Sequence, residues 1–179
     1  MKIAATALAG VFELELEPIA DERGFFARIY CADELSRAGI EFTSAQINIS
    51  RNTARHTLRG MHFQRAPYAE AKLVRCVRGR IFDVIADIRP DSPTYRQWTG
   101  VVVDAARGNG VFIPEGCAHG FLTLEPDCDV LYQMGRSYMP GKAEGFRFDD
   151  PAFAIDWPAP PAVINPADLG WPQWPARGE

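Results

Sequence analysis

The sequence predicts an all-β fold of antiparallel strands in a sandwich or barrel, and three observations carry that prediction. Short apolar or alternating runs recur along the chain, each closed by a turn signal. Glycine and proline, 15 and 14 among 179 residues, are spread over the whole length, with no low-complexity block or internal repeat. Only one segment has a helical composition. In order, the runs are Val11-Phe12-Glu13-Leu14-Glu15-Leu16, Phe25-Phe26-Ala27-Arg28-Ile29-Tyr30, Lys72-Leu73-Val74-Arg75-Cys76-Val77 and Arg80-Ile81-Phe82-Asp83-Val84-Ile85-Ala86-Asp87-Ile88. Thr99-Gly100-Val101-Val102-Val103 and Val130-Leu131-Tyr132-Gln133-Met134 complete the set. The helical segment is short, Ala32-Asp33-Glu34-Leu35-Ser36-Arg37-Ala38. After Pro151 the chain is rich in proline (Pro158, Pro160, Pro161, Pro166, Pro172, Pro175). Proline has no backbone donor, so this tail is excluded from a sheet interior. It either wraps over the barrel or trails off it.

Length and composition bound what such a barrel does. The 179 residues are expected to form a single domain over 1–179, with about 151–179 as a tail, and 47% hydrophobic content is enough for a sizeable core. Nineteen Lys and Arg against 23 Asp and Glu give a net charge of −4, the opposite of the balance in a non-specific nucleic-acid binder. No apolar run approaches the roughly 18 residues that cross a bilayer. The start, Met1-Lys2-Ile3-Ala4-Ala5-Thr6-Ala7-Leu8, makes a poor signal peptide. Cys31, Cys76, Cys117 and Cys128 are scattered without C-x-x-C or zinc spacing. The expectation is a cytoplasmic protein with reduced thiols and neither nucleic acid nor membrane as a partner.

One hairpin can be read in detail. A two-residue turn at Arg78-Gly79 pairs Val77 with Arg80, Val74 with Asp83 and Leu73 with Val84. Alternation then puts Lys72, Val74, Cys76, Ile81, Asp83 and Ile85 on one face and Leu73, Arg75, Val77, Phe82, Val84 and Ala86 on the other. Lys72 and Asp83 become diagonal neighbours among apolar residues, where two charges are costly unless paired. They form either a structural ion pair or a cation held in the lumen for use.

Three histidines are available. His56 reads as a solvated loop residue. His62 and His119 lie in Leu58-Arg59-Gly60-Met61-His62-Phe63-Gln64 and Ile113-Pro114-Glu115-Gly116-Cys117-Ala118-His119-Gly120-Phe121. Two chemistries compete for them. A cupin-type metal centre would take His62, Gln64, Glu70 and His119, but glutamine is a weak ligand beside imidazole and carboxylate. Alternatively, His62 is a base, since imidazole with a pKa near 6.5 suits proton removal at physiological pH. Lys72 would then be the electrophile, and Tyr132 or Tyr138 a proton donor.

The motifs Asp21-Glu22-Arg23-Gly24-Phe25-Phe26, Leu58 to Gln64, Lys72 to Gly79 and Ile113 to Phe121 resemble the dTDP-4-dehydrorhamnose 3,5-epimerase family. Leu131-Tyr132, Tyr138-Met139-Pro140, Asp149-Asp150-Pro151 and Ile155-Asp156-Trp157-Pro158 extend the match from about residue 5 to about residue 170. The resemblance implies a cupin-like double-stranded β-helix, a jelly-roll barrel with short helices. It also implies no metal or other cofactor, and a homodimer with exchanged N-terminal strands. The implied substrate is a nucleotide-linked 4-keto-6-deoxyhexose, whose C3 and C5 protons are acidified by the C4 ketone. By matching position, His62 is the base, Asp168 holds its ring, Lys72 stabilises the enolate oxygen, and Tyr132 returns a proton to the opposite face. The same match places Arg59, Arg23, His119 and Tyr138 around pyrophosphate and sugar, with Gln46 and Asn48 nearby. Paired with Asp83 as the hairpin reading expects, Lys72 would be a buried cation placed to meet developing negative charge. Arg23 and Phe26 are implied to reach the partner subunit's site. Arg59 and His62 point to opposite faces of a regular strand, so both meet one pocket only where Gly60 breaks the pleat or Arg59 ends it.

The sequence departs from the family pattern at several points. Arg28 stands where an acid is common, which points to a base other than thymine or one held differently. Ile47 and Ile49 replace polar residues, Glu70-Ala71 stands for glutamine and glycine, and Asp168 follows Asn165-Pro166-Ala167. Single-centre epimerisation, a related ketoisomerase, a metal-dependent cupin enzyme and a non-catalytic sugar-nucleotide binder are the alternatives.

Overall fold

The computed structural model describes residues 1–174, so Pro175 lies outside the described residues. Its strands are β1 (Lys2–Ala5), β2 (Phe12–Glu15), β3 (Ile19–Asp21), β4 (Gly24–Phe26), β5 (Gln46–Asn52), β6 (Thr57–Phe63) and β7 (Lys72–Arg78). They continue as β8 (Arg80–Asp87), β9 (Trp98–Asp104), β10 (Gly110–Ile113), β11 (Cys117–Thr123), β12 (Cys128–Met134), β13 (Glu144–Gly145) and β14 (Val163–Ile164). Two short helices are α1 (Ala32–Arg37) and α2 (Pro166–Leu169).

Two sheets face each other. One has the order β1-β2-β10-β7-β12-β5 and the other β13-β6-β11-β8-β9, with β14 parallel to β6 on the edge that β13 also uses. This is the cupin-like double-stranded β-helix, and its topology corrects the hairpin expected at Arg78-Gly79. β7 pairs with β10 and β12, whereas β8 pairs with β11 and β9. The chain crosses between sheets at Gly79, whose φ of +77° suits glycine. Consecutive strands therefore face each other across the core instead of sharing hydrogen bonds. Alternation nonetheless sorts their side chains as expected. Val74, Cys76, Ile81 and Ile85 meet in the cluster between the sheets, with Val111, Ile113, Phe121 and Val130.

The opposite faces of β7 and β8 enter two different outer layers. Leu73 packs with Leu14, Leu35 of α1, Ile40, Phe42 and Phe112. Val84 and Ala86 pack with Met61, Phe63, Phe146 and Phe153, and Trp157 and Trp174 close over them. The tail thus wraps the second sheet. Its prolines do not keep it wholly out of a sheet. Val163 and Ile164, between Pro161 and Pro166, pair with Thr57 and Leu58 at the edge. His56 is a half-buried anchor rather than a solvated loop residue, its carbonyl accepting from the Ala162 and Val163 N–H groups. Cys76, Cys117 and Cys128 are buried and unpaired, and burial pushes the Cys76 and Cys117 thiols up to about 12.

Candidate active site

One end of the space between the sheets opens as a cavity of about 320 Å³. It is lined by Asn48, Ile49 and Ser50 of β5, Arg59 and His62 of β6, Glu70, Lys72 of β7, His119 and Phe121 of β11, and Tyr132 and Met134 of β12. Arg59 and His62 share it because β6 carries an extra residue. His62 faces His119 and Arg59 faces Phe121, so three steps on β6 match two on β11. Gly60 permits this, with φ +135° and the Gly120 Cα only 2.5 Å from where a Cβ would stand. Arg59 is aimed by Asn52, a buried residue whose Oδ1 accepts from Arg59 Nε at 2.7 Å.

The tail delivers Asp168 to this bulge. Asn165 caps α2 by accepting the Ala167 N–H, Pro166 occupies the first turn, and Asp168 projects from that turn. Asp168 Oδ1 lies 2.7 Å from His62 Nε2, and its Oδ2 accepts the Gly60 N–H at 3.2 Å. Burial alone would raise the Asp168 carboxyl. The His62 hydrogen bond and charge and the Gly60 N–H outweigh it, with a lesser contribution from Trp171, and hold it below its ordinary value. An ionised carboxylate only accepts, so in the neutral ring Nε2 carries the proton and the lone pair lies on Nδ1. The Trp171 ring stands edge-on to the imidazole at 6.3 Å.

A second pair lies deeper. His119 Nε2 is 2.7 Å from Asp83 Oδ1, with both side chains buried. This corrects the expected pairing of Lys72 with Asp83. Because β7 and β8 belong to different sheets, Asp83 meets its own sheet's neighbour β11, and Lys72 Nζ instead donates to Glu70 Oε1 at 3.3 Å. Tyr132 stands edge-on to His119 at 6.0 Å. Burial, and to a lesser extent the Asp83 charge, push its phenol up, so it stays protonated at physiological pH.

Not every expected residue reaches the cavity within one chain. Gln46 sits just outside, its Oε1 accepting the Tyr138 N–H at 2.7 Å. The Tyr138 side chain is exposed. Arg23 and Phe26 belong to the β3–β4 hairpin and do not line the cavity; Arg23 pairs with Asp21 and Phe26 is 75% exposed. Arg28 donates to Glu34 of α1 at 2.6 Å. Of the residues weighed for a metal, Gln64 does not line the cavity, and among the described residues no group of three or more His, Cys, Asp or Glu is placed to hold an ion. The residues missed by sequence reasoning are Ser50, Phe121, Met134, Asn52 and Trp171. Alternation along β11 and β12 would have found Phe121 and Met134, which share faces with His119 and Tyr132. No local signal marks Trp171 or Asn52.

Fold and site together define a jelly-roll protein with an Asp-oriented histidine on one sheet and a tyrosine and a lysine on the other, facing one small cavity. The family model described as dTDP-4-dehydrorhamnose 3,5-epimerase matches residues 5–175. The dTDP-4-dehydrorhamnose 3,5-epimerase of Methanothermobacter thermautotrophicus is 41% identical over 169 residues, covering 93% of this chain and 90% of that one. A dTDP-4-dehydrorhamnose 3-epimerase of Streptomyces niveus is 37% identical, covering 94% and 81%. The crystal structure of the Bacillus anthracis dTDP-4-dehydrorhamnose 3,5-epimerase, with TDP and PPi bound, superposes with a TM-score of 0.93 at 35% identity, covering 97% and 99%. The chain belongs to the dTDP-4-dehydrorhamnose 3,5-epimerase family, and is an isomerase of the epimerase type.

Proposed function

We propose that this chain inverts C3, C5 or both in a nucleotide-linked 4-keto-6-deoxyhexose of the dTDP-4-dehydro-6-deoxyglucose type. The C4 ketone acidifies the protons on either side of it. His62 Nδ1 removes one, Asp168 stabilises the imidazolium, and Lys72 meets the charge that develops on the C4 oxygen. Tyr132 returns a proton from the other side, which inverts the carbon. One observation carries this reading: His62 and Tyr132 line a single cavity from opposite sheets, so a ring held between them has base and acid on opposite faces.

In this reading Arg59, His119, Asn48, Gln46 and Tyr138 hold sugar and pyrophosphate, and no metal or other cofactor takes part. The chain acts as one domain over residues 1–179, in the cytoplasm, and as a homodimer that exchanges N-terminal segments. Of the N-terminal strands, β1 and β2 join the first sheet of their own chain, and the β3–β4 hairpin pairs with neither large sheet. Ile19, Phe25 and Phe26 are each more than 60% exposed there, and the edge strand β5 carries exposed Ile47 and Ile49. A partner would cover both and bring Arg23 and Phe26 to its own neighbour's site.

The similarity to the Streptomyces niveus 3-epimerase supports a second reading, inversion at one centre only. Incubation with dTDP-4-keto-6-deoxyglucose in D2O, followed by NMR, tests both. Deuterium at C3, C5 or both, absent in His62→Ala, is expected, and its position decides between one centre and two. No exchange at either carbon would overturn the substrate assignment and direct the search to other nucleotides, since Arg28 departs from the family pattern. Comparing affinities for dTDP, GDP, CDP and UDP then identifies the base.

A further inference from the structure

Lys72 enters the cavity from the first residue of β7, and among the described residues its ammonium has one hydrogen-bond partner, Glu70. Both side chains are nine-tenths buried, 7% and 10% exposed, and both line the cavity. The segment carrying Glu70 is itself pinned. The Gly135 N–H donates to Ala71 O at 2.8 Å, and Arg136 Nε donates to Ala69 O at 3.0 Å. The two residues flanking Glu70 are thus tied to the end of β12, the strand that carries Tyr132. Gly135 sits tightly there, since a Cβ on it would lie 3.1 Å from Ala71 O and 3.2 Å from the Phe42 ring. Of the other acids near the cavity, Asp168 bonds His62 and Asp83 bonds His119 through Oδ1 alone, and neither is within hydrogen-bond reach of Lys72. Glu70 is the carboxylate that remains for Lys72.

We propose that Glu70 is a positioning residue for Lys72: it fixes Nζ at the cavity wall, so that the other ammonium protons face the C4 oxygen. A lysine on a four-carbon stem has no preferred direction of its own, and an electrophile must already be in place when enolate charge develops. The proposal rests on the reading of Lys72 as the group that meets that oxygen. Glu70 acts only through Lys72, so its effect belongs in turnover rather than in substrate affinity.

A double-mutant cycle tests this, following deuterium exchange and inversion of dTDP-4-keto-6-deoxyglucose, with thermal midpoints to confirm that each variant folds. Glu70→Ala is expected to lower kcat about tenfold with KM within about threefold. Glu70→Gln, whose amide oxygen still accepts from the ammonium, is expected to retain kcat within about threefold. In a Lys72→Ala background, Glu70→Ala should change the residual rate by less than about twofold. The proposal is overturned if Glu70→Ala slows the Lys72→Ala variant by the full factor, if KM alone rises, or if turnover is unchanged in the single variant. Absence of exchange in the unaltered protein is a separate result, which overturns the substrate assignment, and the cycle is then run on the sugar nucleotide that does exchange.

Discussion

His62 Nε2 and Asp168 Oδ1 stand 2.7 Å apart across a separation of 106 residues. The contact exists because the tail pairs with the first residues of β6 and then turns into α2, where Asn165 and Pro166 set the direction of the next side chains. Asp168 uses both oxygens, one for the imidazole and one for the Gly60 N–H. A single carboxylate thereby orients the His62 ring and holds the bulge that brings Arg59 alongside it.

Asp168→Asn is informative because asparagine has one acceptor oxygen for two donors. If that oxygen takes the Gly60 N–H, the amide NH2 faces His62 Nε2, the ring proton moves to Nδ1, and the base is lost. We expect kcat to fall by about 10²- to 10⁴-fold with little change in KM. Steady-state kinetics would show this, and a variant retaining most of its turnover would argue that Asp168 is structural only.

Tyr132→Phe separates the two halves of the reaction. The base remains, so α-protons still exchange with solvent from the His62 side, while reprotonation from the other sheet loses its donor. Inversion is expected to slow by about 10²-fold and exchange by much less. NMR in D2O reads both rates in one sample. Equal losses would assign the opposite-face proton to another group.

Gly60→Ala tests the bulge. An added Cβ would meet the Gly120 Cα at 2.5 Å, and φ of +135° is unsuited to alanine. A loss of about 2 kcal/mol or more in unfolding free energy is expected. Denaturant titration measures it, and a neutral result would mean that the β6–β11 approach relaxes freely.

Much of this arrangement was legible from residue alternation. Alternation puts Lys72, Val74 and Cys76 of β7 and Ile81, Asp83 and Ile85 of β8 on one face, and the structure packs the apolar four between the sheets, with Lys72 lining the cavity and Asp83 bonded to His119. Their partners were not legible, because Arg78-Gly79 reads as a turn whether the chain folds back within a sheet or crosses to the other. The Lys72–Asp83 pairing fails for the same reason, and the sequence marks Glu70, two residues from Lys72, only as a metal-ligand candidate and a departure from the family pattern. The approach of Asp168 to His62 was available through the family resemblance alone, since no local rule links positions so far apart. Trp171 had no signal at all, its place being set by tail docking over Gly145.

Outside the cavity, Asp87 is expected to contribute to the acid stability of the barrel. It is buried, with its oxygens accepting from Arg89 Nε at 2.9 Å, Arg89 Nη2 at 2.8 Å, Ser92 Oγ at 2.5 Å and Thr94 Oγ1 at 2.6 Å. Burial pushes its carboxyl up, but these hydrogen bonds outweigh it and bring the pKa from 3.8 to about 2. A carboxyl depressed in the folded state contributes stability that is complete above its unfolded pKa and is lost as pH falls through the folded one. Asp87→Asn should therefore be less stable than the unaltered protein at pH 7, by a gap that stays constant down to about pH 5 and narrows toward about pH 2. Urea midpoints measured across that range check it. A gap that does not change with pH would show that the deficit of the variant comes from lost packing and hydrogen bonds, not from the ionisation of Asp87.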